Sequence, residues 1–414
     1  MTGTPTKAAE TDGREAWIVA LASCACIMVG FGATMALPIS LKEIAFTFGW
    51  PREVPSLAYA LCLIGEGAGA VLMGMLAERY GVATVLRIGA VGIGSGLALS
   101  SVMESPWHIY VAYGLFVGFF GISTLFAPTV SNVTRWFARR RGLAVAVVAC
   151  GQSFAGAVWP PAIRASNDSF GWQTTFLVVG ALCFLALMAL TMALRRPPPA
   201  FPTATSSDAR EGDRVLGLSP HAVLVILFFA IVGCCGAMAM PIVHIASHAS
   251  DLGHDGSYAA LLLSVAMGSS FASRLGLGWL SDRIGGLRTL MLGSAAQAAS
   301  LVLFMSITDL AGLFAAALVF GFGFGGIVPA YAVVIRELFP LRGIGWRIPA
   351  VLVGGAIGMA AGGWIGGHVF DATGSYVDAF AIGLAFNIMN LVLIGTLLLR
   401  WLGHRRAGTL VVSA

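Results

Sequence analysis

Twelve long apolar runs dominate the sequence and restrict it to one class of fold. Each run is close to the roughly 20 residues that an α-helix needs to cross a hydrocarbon core of about 30 Å. Backbone polar groups inside lipid must be paired within the chain, and continuous runs do not fit the short alternating strands of a β-barrel. The sequence therefore predicts an all-α polytopic membrane protein with twelve transmembrane helices, at 17–39, 55–77, 84–103, 107–132, 141–165, 172–194, 221–247, 257–280, 287–308, 310–336, 344–370 and 377–402.

The composition agrees with a lipid environment. Only 10% of the 414 residues are charged and the mean hydropathy is +0.87, whereas a soluble domain carries roughly 25% charged residues. All seven cysteines lie in apolar runs, so neither a zinc site nor a disulfide framework is predicted. We find no clustered nucleophile and base, no metal-ligand set and no cofactor motif, and we therefore expect neither an enzyme nor a bound cofactor or metal.

Lysine and arginine residues are unevenly distributed between the loops. Of these 24 residues, 20 fall on the side of the N-terminus, three (Lys42, Arg52 and Arg164) fall on the opposite side, and Arg274 lies inside a run. The positive-inside rule therefore predicts that both termini are cytoplasmic. This distribution also accounts for the net charge of +5 without a nucleic-acid partner.

A polar segment at 195–220 separates two sets of six runs. It contains Arg-Arg-Pro-Pro-Pro and mixed charges, which is typical of a flexible linker. We expect an N-terminal six-helix bundle with a short cytoplasmic leader at 1–194, and a C-terminal six-helix bundle with a short cytoplasmic tail at 221–414. The first run is too long for a signal-peptide core and is predicted to be a retained span.

The loops after the second and eighth runs are related by an internal repeat. The first reads G-M-L-A-E-R-Y-G and the second G-W-L-S-D-R-I-G. Glycines at the turns allow consecutive helices to turn tightly and pack closely, and the acid–arginine pair can form a breakable cytoplasmic gate. The matched residues, at a constant offset of 204, are Gly74, Glu78, Arg79 and Gly81 in the first loop and Gly278, Asp282, Arg283 and Gly285 in the second.

This repeated loop resembles the signature of the major facilitator superfamily, and the resemblance extends over nearly the full chain. It implies two six-helix repeats and transport by alternating access, with a midplane cavity between the halves. The second copy follows the pattern well. The first departs from it, because Glu78 replaces the usual aspartate and Val82-Ala83 replace basic residues.

Further segments resemble the branch of monocarboxylate porters and oxalate–formate exchangers. They are the external turn 48–52, the loop 135–144 between spans four and five, and parts of spans seven and eight at 243–253 and 273–278. The resemblance implies a small organic anion as substrate. The chain has only two lysines, Lys7 and Lys42, and neither is intramembrane. The spans therefore offer a single buried cation to the substrate, which suits a monoanion better than a dianion.

Arg274 is the principal candidate for substrate binding. It lies eight residues before Asp282, which is about 12 Å along the helix. An arginine inside a span is costly and its planar fork suits a carboxylate, and the resemblance implies that role at this position. The alternative is an arginine that snorkels to the interface or pairs structurally with an acid.

Ser270, Glu66 and His244 are further candidates. Ser270 lies one turn from Arg274, at a position where proton-coupled relatives commonly carry an acid, which argues against simple proton symport. Glu66, in the middle of span two, is a candidate proton carrier or counter-ion of Arg274; the alternative is a structural glutamate. His244 is either site-lining or structural.

Three other residues complete the predicted site. Gln152 and Tyr331 lie on spans five and ten, which line the cavity in the resembling family, although helix–helix hydrogen bonding is the usual role of polar residues in spans. Phe126 stands where relatives often carry tyrosine, which implies a less polar wall of the substrate site.

Glycine clusters in spans four, ten and eleven are interpreted as sites of close helix packing rather than as nucleotide-binding loops.

We therefore predict a secondary active transporter of a small monocarboxylate-type anion, with a co-transported proton or an exchanged anion, functional as a monomer. A bacterial inner membrane is the expected location. The alternatives are a facilitator or exporter of a neutral or amphipathic compound and a transport-dead receptor of the same fold.

Overall fold

Helices account for nearly all of the described chain. The structure, a computed structural model, describes residues 13–137, 141–196, 215–339 and 344–406. Within these ranges the only β-pairing is a single bridge between Val215 and Leu218. The predicted all-α class is confirmed.

The helices of the first half of the sequence include an irregular stretch in span four. They are α1 (Arg14–Gly30), α2 (Gly32–Phe48), α3 (Glu53–Tyr80), α4 (Val82–Ser101), α5 (Pro106–Val111), a π-helix (Ala112–Gly121), a 3₁₀ turn (Ile122–Thr124), α6 (Phe126–Thr134) and α7 (Arg141–Leu190). The second half contains α8 (Pro220–Asp251), α9 (Gly256–Ile284), α10 (Gly286–Ser306), α11 (Leu310–Phe324), α12 (Ile327–Leu338), α13 (Ile344–Thr373) and α14 (Tyr376–Arg406).

Eleven helical segments in the described ranges are long and apolar enough to cross a membrane. One of them, Leu143–Leu190, has 48 residues, which is about 72 Å of helix and more than twice the core thickness. It breaks at Gly171, where φ is 78°. Counted as two crossings, it brings the total to the twelve that the sequence predicts.

The chain forms two compact units. Unit 1 comprises Met1–Ser40 and Ile64–Ala204, and unit 2 comprises Leu41–Leu63 and Thr205–Ala414. The segment Leu41–Leu63 comes from the first half of the sequence but belongs to unit 2. Most of the predicted linker, residues 197–214, lies outside the described residues, as do the leader 1–12 and the tail 407–414.

Glycines bring helix backbones into direct contact inside each unit. A Cβ on Gly362 of α13 would overlap the Gly236 carbonyl oxygen of α8, and one on Gly358 would overlap that of Val232. In unit 1, a Cβ on Gly92 of α4 would lie 2.8 Å from the Phe116 carbonyl oxygen of the π-helix. Small residues allow this approach where no hydrophobic effect drives helix association. The packing interpretation of the glycine clusters is confirmed.

Candidate functional site

Arg274 lies on α9 beside a closely packed face of that helix. A Cβ on Gly325 would overlap the Ser270 carbonyl oxygen, and the Ser273 hydroxyl donates to the Phe322 carbonyl oxygen at 2.6 Å. Ser270 and Ser273 thus fix α9 against the chain at the end of α11. Arg274 is the next residue along, about 100° further around the helix. Its side chain is half-buried, and its Nε is shielded from solvent.

Ser270 is fully buried one turn before Arg274. Its hydroxyl donates to the Met267 carbonyl oxygen of its own helix at 2.6 Å. This common arrangement satisfies the hydroxyl proton locally and leaves the oxygen as an acceptor. Ser270 therefore offers no negative charge beside the arginine, as expected from the sequence.

Tyr331 of α12 lies in a buried polar network within unit 2. Its hydroxyl donates to Asn390 Oδ1 at 2.7 Å, and Asn390 Nδ2 donates to Ser294 Oγ at 2.8 Å. One turn away, Asn387 donates to Gln297 at 3.0 Å. These bonds join α10, α12 and α14. A direct contact between Tyr331 and substrate stays a prediction, because this hydroxyl already has a helix–helix partner.

Substitution of Tyr331 distinguishes a helix–helix hydrogen bond from a direct contact with the substrate. Tyr331→Phe leaves the buried Asn390 oxygen without its donor, so we expect the free energy of unfolding in detergent to fall by about 0.5–1.5 kcal/mol while the KM for transport stays unchanged. The matched control is Tyr258→Phe, since Tyr258 is half-exposed at the start of α9. A raised KM with unchanged stability would instead assign the hydroxyl to the substrate.

His244 lies near the end of α8 with an aromatic cluster rather than beside Ser270. Its Nε2 is 2.8 Å from the Gly363 carbonyl oxygen, and its ring centroid is 5.1 Å from that of Tyr376. A carbonyl only accepts, so Nε2 carries the proton. The imidazole is completely buried. This placement joins His244 to the charged cluster around Arg52 described below.

Unit 1 contains the other three candidates. Glu66 is half-buried on α3, next to Gly65, whose Cβ would overlap the Gly114 carbonyl oxygen of the π-helix. No ion pair or hydrogen bond joins the Glu66 carboxylate to another described residue. Gln152 of α7 and Phe126, the first residue of α6, are also half-buried.

The two repeated loops share a turn but differ in their charge contacts. Gly81 and Gly285 have φ of 81° and 87°, a region that favours glycine, and each precedes the next helix directly. A Cβ on Gly74 or Gly278 would meet no described atom within 4 Å. The expected close packing is therefore absent at those two glycines in the part of the chain that the structure describes.

The charged side chains of these loops find separate partners. Glu78 lies 3.6 Å from Arg135, with both side chains exposed, and Arg79 faces the Tyr80 ring at 5.3 Å. Arg283 stacks 3.9 Å above the Trp279 ring. The Asp282 side chain is outside the described residues, so its pairing stays a prediction.

Glu337 was missed by the sequence analysis. Its carboxylate accepts from the Gly286 backbone N–H at 3.0 and 3.1 Å, which places a negative charge at the first turn of α10 where the helix dipole favours it. In the sequence it is visible only as an acid directly after the tenth apolar run.

A second missed feature is a charged cluster in unit 2. We call it the Arg52 cluster: Lys42, Arg52, Glu53, Asp251, His368, Asp371 and Tyr376. Burial lowers the pKa of the Arg52 guanidinium, but hydrogen bonds to Asp251 and Tyr376 raise it, and the net pKa is above its ordinary value. In the sequence, the Arg52 cluster is indicated by acidic and basic residues at the ends of several spans on the side predicted to lie opposite the termini.

Comparison with known proteins decides the family. The family model described as Major Facilitator Superfamily matches residues 22–345 and 225–411. The chain belongs to the major facilitator superfamily. It is an integral membrane transporter rather than an enzyme.

Individual relatives support the branch that the sequence resembles. The chain is 28% identical to monocarboxylate transporter 11 of Homo sapiens, over 92% of this chain and 82% of that protein. It is 27% identical to monocarboxylate transporter 13 of Bos taurus, over 92% and 88%. The crystal structure of the nucleoside transporter NupG has a TM-score of 0.72 at 14% identity and covers 94% of this chain and all of that one; it supports the fold alone.

Proposed function

We propose that this transporter moves a small organic monoanion of the monocarboxylate type by secondary active, alternating-access transport. Arg274 is the residue that binds the carboxylate. The observation that carries the proposal is a half-buried guanidinium inside span eight, with a neutral serine one turn away. The names of its superfamily relatives, monocarboxylate transporters 11 and 13, point to the same substrate class.

The other residues have supporting roles in this proposal. Ser270, through its acceptor oxygen, and Gln152 and Phe126 shape the site, while Tyr331 and His244 support it through the contacts described above. Glu66 is the candidate proton carrier, because it is a carboxylate without a described cationic partner. The gate consists of Gly74, Glu78, Arg79, Gly278, Asp282 and Arg283, on the cytoplasmic side together with both termini. The transporter functions as a monomer, and the bacterial inner membrane remains the predicted location.

Ligand-dependent thermal stability tests the substrate class directly. A ligand that binds only the folded state stabilises it by RT ln(1 + [L]/Kd), which is about 2.7 kcal/mol at 100 times Kd. We expect one small monocarboxylate to raise the Tm of the detergent-purified protein. Its uncharged amide is expected to have no effect. Stabilisation by a neutral compound and by no acid would contradict the anion and favour a facilitator or exporter.

A further inference from the structure

Two arginines of unit 2 lie at the same end of the adjacent helices α10 and α14, on the predicted cytoplasmic side. Arg288 is in the first turn of α10, and Arg400 is near the end of α14. The helices are bonded to each other further along, where Asn390 Nδ2 of α14 donates to Ser294 Oγ of α10 at 2.8 Å. The helix pair therefore presents two cations at one of its ends.

The Arg288 guanidinium packs against Trp401 of α14. Its Cζ lies 5.2 Å from the centroid of the Trp401 ring, which is within the range of a cation–π contact. Both side chains are half-buried. Tryptophan is enriched at the level of lipid headgroups, because its ring is apolar and its N–H is polar. The contact therefore orients a cation beside a residue that suits the membrane interface.

A tight turn packs beside Arg400. Val215 and Leu218 exchange two backbone hydrogen bonds of 2.9 Å. Between them, Leu216 has a φ of 53°, which is strained for a leucine, yet its side chain is buried and so keeps the turn in place. A Cβ on Gly217 of this turn would lie 3.9 Å from Arg400 Nη1. The turn thus restricts the space that the guanidinium can occupy.

No described carboxylate neutralises these two arginines. Neither Arg288 nor Arg400 forms an ion pair within the part of the chain that the structure describes. Arg196 of unit 1, by contrast, pairs with Glu15. Arg405 and Arg406 follow in the sequence and add two more positive charges. This end of α10 and α14 therefore attracts an anion from outside the chain.

Both helices also have exposed apolar residues between this end and the opposite one. On α10, Leu292 and Val302 lie four and 14 residues after Arg288, on the same face of the helix. On α14, Val392 lies eight residues before Arg400. All three apolar side chains are exposed. An acyl chain can lie along such a face while its headgroup reaches the arginines.

The opposite end of the same helix pair carries acids instead of cations. Asp378 is exposed in the first turn of α14. Asp309 follows the end of α10 and caps α11 by accepting from the Gly312 N–H at 2.8 Å. Like charges repel, so an anionic headgroup is disfavoured at that end. The charges therefore favour an anionic lipid on one side of the membrane only.

We propose that the arginine-bearing end of α10 and α14 binds an anionic glycerophospholipid. Its phosphate contacts Arg288 and Arg400, and its acyl chains lie along the exposed faces of the two helices. A guanidinium donates to two phosphate oxygens at once, and basic pockets between spans suit anionic headgroups. A zwitterionic lipid binds less well, because its own ammonium offsets the phosphate charge. The inference does not depend on the identity of the transported substrate.

Native mass spectrometry of the detergent-purified transporter tests the lipid site. The probes are phosphatidylglycerol and phosphatidylcholine with identical acyl chains. We expect phosphatidylglycerol to be retained in preference to phosphatidylcholine. The double variant Arg288→Gln/Arg400→Gln is expected to lower the affinity for phosphatidylglycerol about 25-fold, because each arginine near an anionic headgroup contributes about fivefold. Its affinity for phosphatidylcholine should not change.

A single variant and its matched control separate a defined site from a diffuse positive surface. Arg400→Gln is expected to lower the affinity for phosphatidylglycerol about fivefold, and it is measured also in case the double variant does not fold. The control Arg336→Gln removes an exposed arginine at the end of α12, on the same predicted side, and should have no effect. Equal retention of the two lipids, or an equal loss in Arg400→Gln and Arg336→Gln, would overturn the proposal. Displacement of phosphatidylglycerol by inorganic phosphate would assign the arginines to a soluble anion and would overturn it as well.

Discussion

Replacement of Arg274 by alanine is expected to reduce substrate uptake by at least about thirtyfold, because loss of a desolvated charge partner costs roughly 2–5 kcal/mol. The fold should survive, since Arg274 stands beside the packed face of α9 and the contacts at Ser273 and Gly325 are made by other residues. The measurement is uptake into proteoliposomes, with thermal unfolding of the same preparation as a check on folding.

The conservative variant separates binding geometry from charge. Arg274→Lys keeps a cation but lacks the planar fork, so we expect most of the loss to persist and the stabilisation by a monocarboxylate to disappear. Arg164→Lys is the matched control, because Arg164 pairs with Asp168 on the same exposed helix surface. Normal uptake by Arg274→Ala, with the control also normal, would return Arg274 to a structural role.

The fold was largely predictable from the sequence because lipid imposes a single local rule. Every backbone polar group in a span must be paired inside its own helix, so apolar run length alone places the helices. The irregular parts were not predictable in this way. The π-helix at Ala112–Gly121 depends on the fit of span four against α4 and α3, where Gly92 and Gly65 meet its backbone, and such contacts are not visible in hydropathy.

The candidate site was predicted less completely, for a physical reason. An intramembrane charge such as Arg274 stands out from its apolar surroundings, whereas a polar residue's partner depends on tertiary contacts. Tyr331 and His244 show this: one donates to Asn390 and the other to Gly363, and neither partner is close in sequence. In the Arg52 cluster, Arg52 bonds to Asp251, which lies 199 positions away. The distribution of charges between the loops placed these residues on the same side of the membrane but did not show which of them pair.

Glycine-mediated packing gives the second large prediction. Gly362→Ala would place a Cβ well inside 3.0 Å of the Gly236 carbonyl oxygen, an approach that real Cβ atoms essentially never make. The obstacle is backbone and cannot rotate away. We expect Gly362→Ala to lower the free energy of unfolding in detergent by about 1–3 kcal/mol, and Gly362→Leu to prevent accumulation of folded protein. Thermal unfolding and the yield of monodisperse protein measure both effects.

The matched control shows whether contact, rather than glycine itself, is the cause. Gly395 lies inside α14, and a Cβ there would meet no described atom within 4 Å. Alanine is favoured over glycine in a helix by about 1 kcal/mol, so Gly395→Ala should leave stability unchanged or raise it. Equal effects at the two positions would mean that α13 and α8 shift apart at little cost. A loss confined to Gly362 would mean that direct backbone contact between these helices holds unit 2 together.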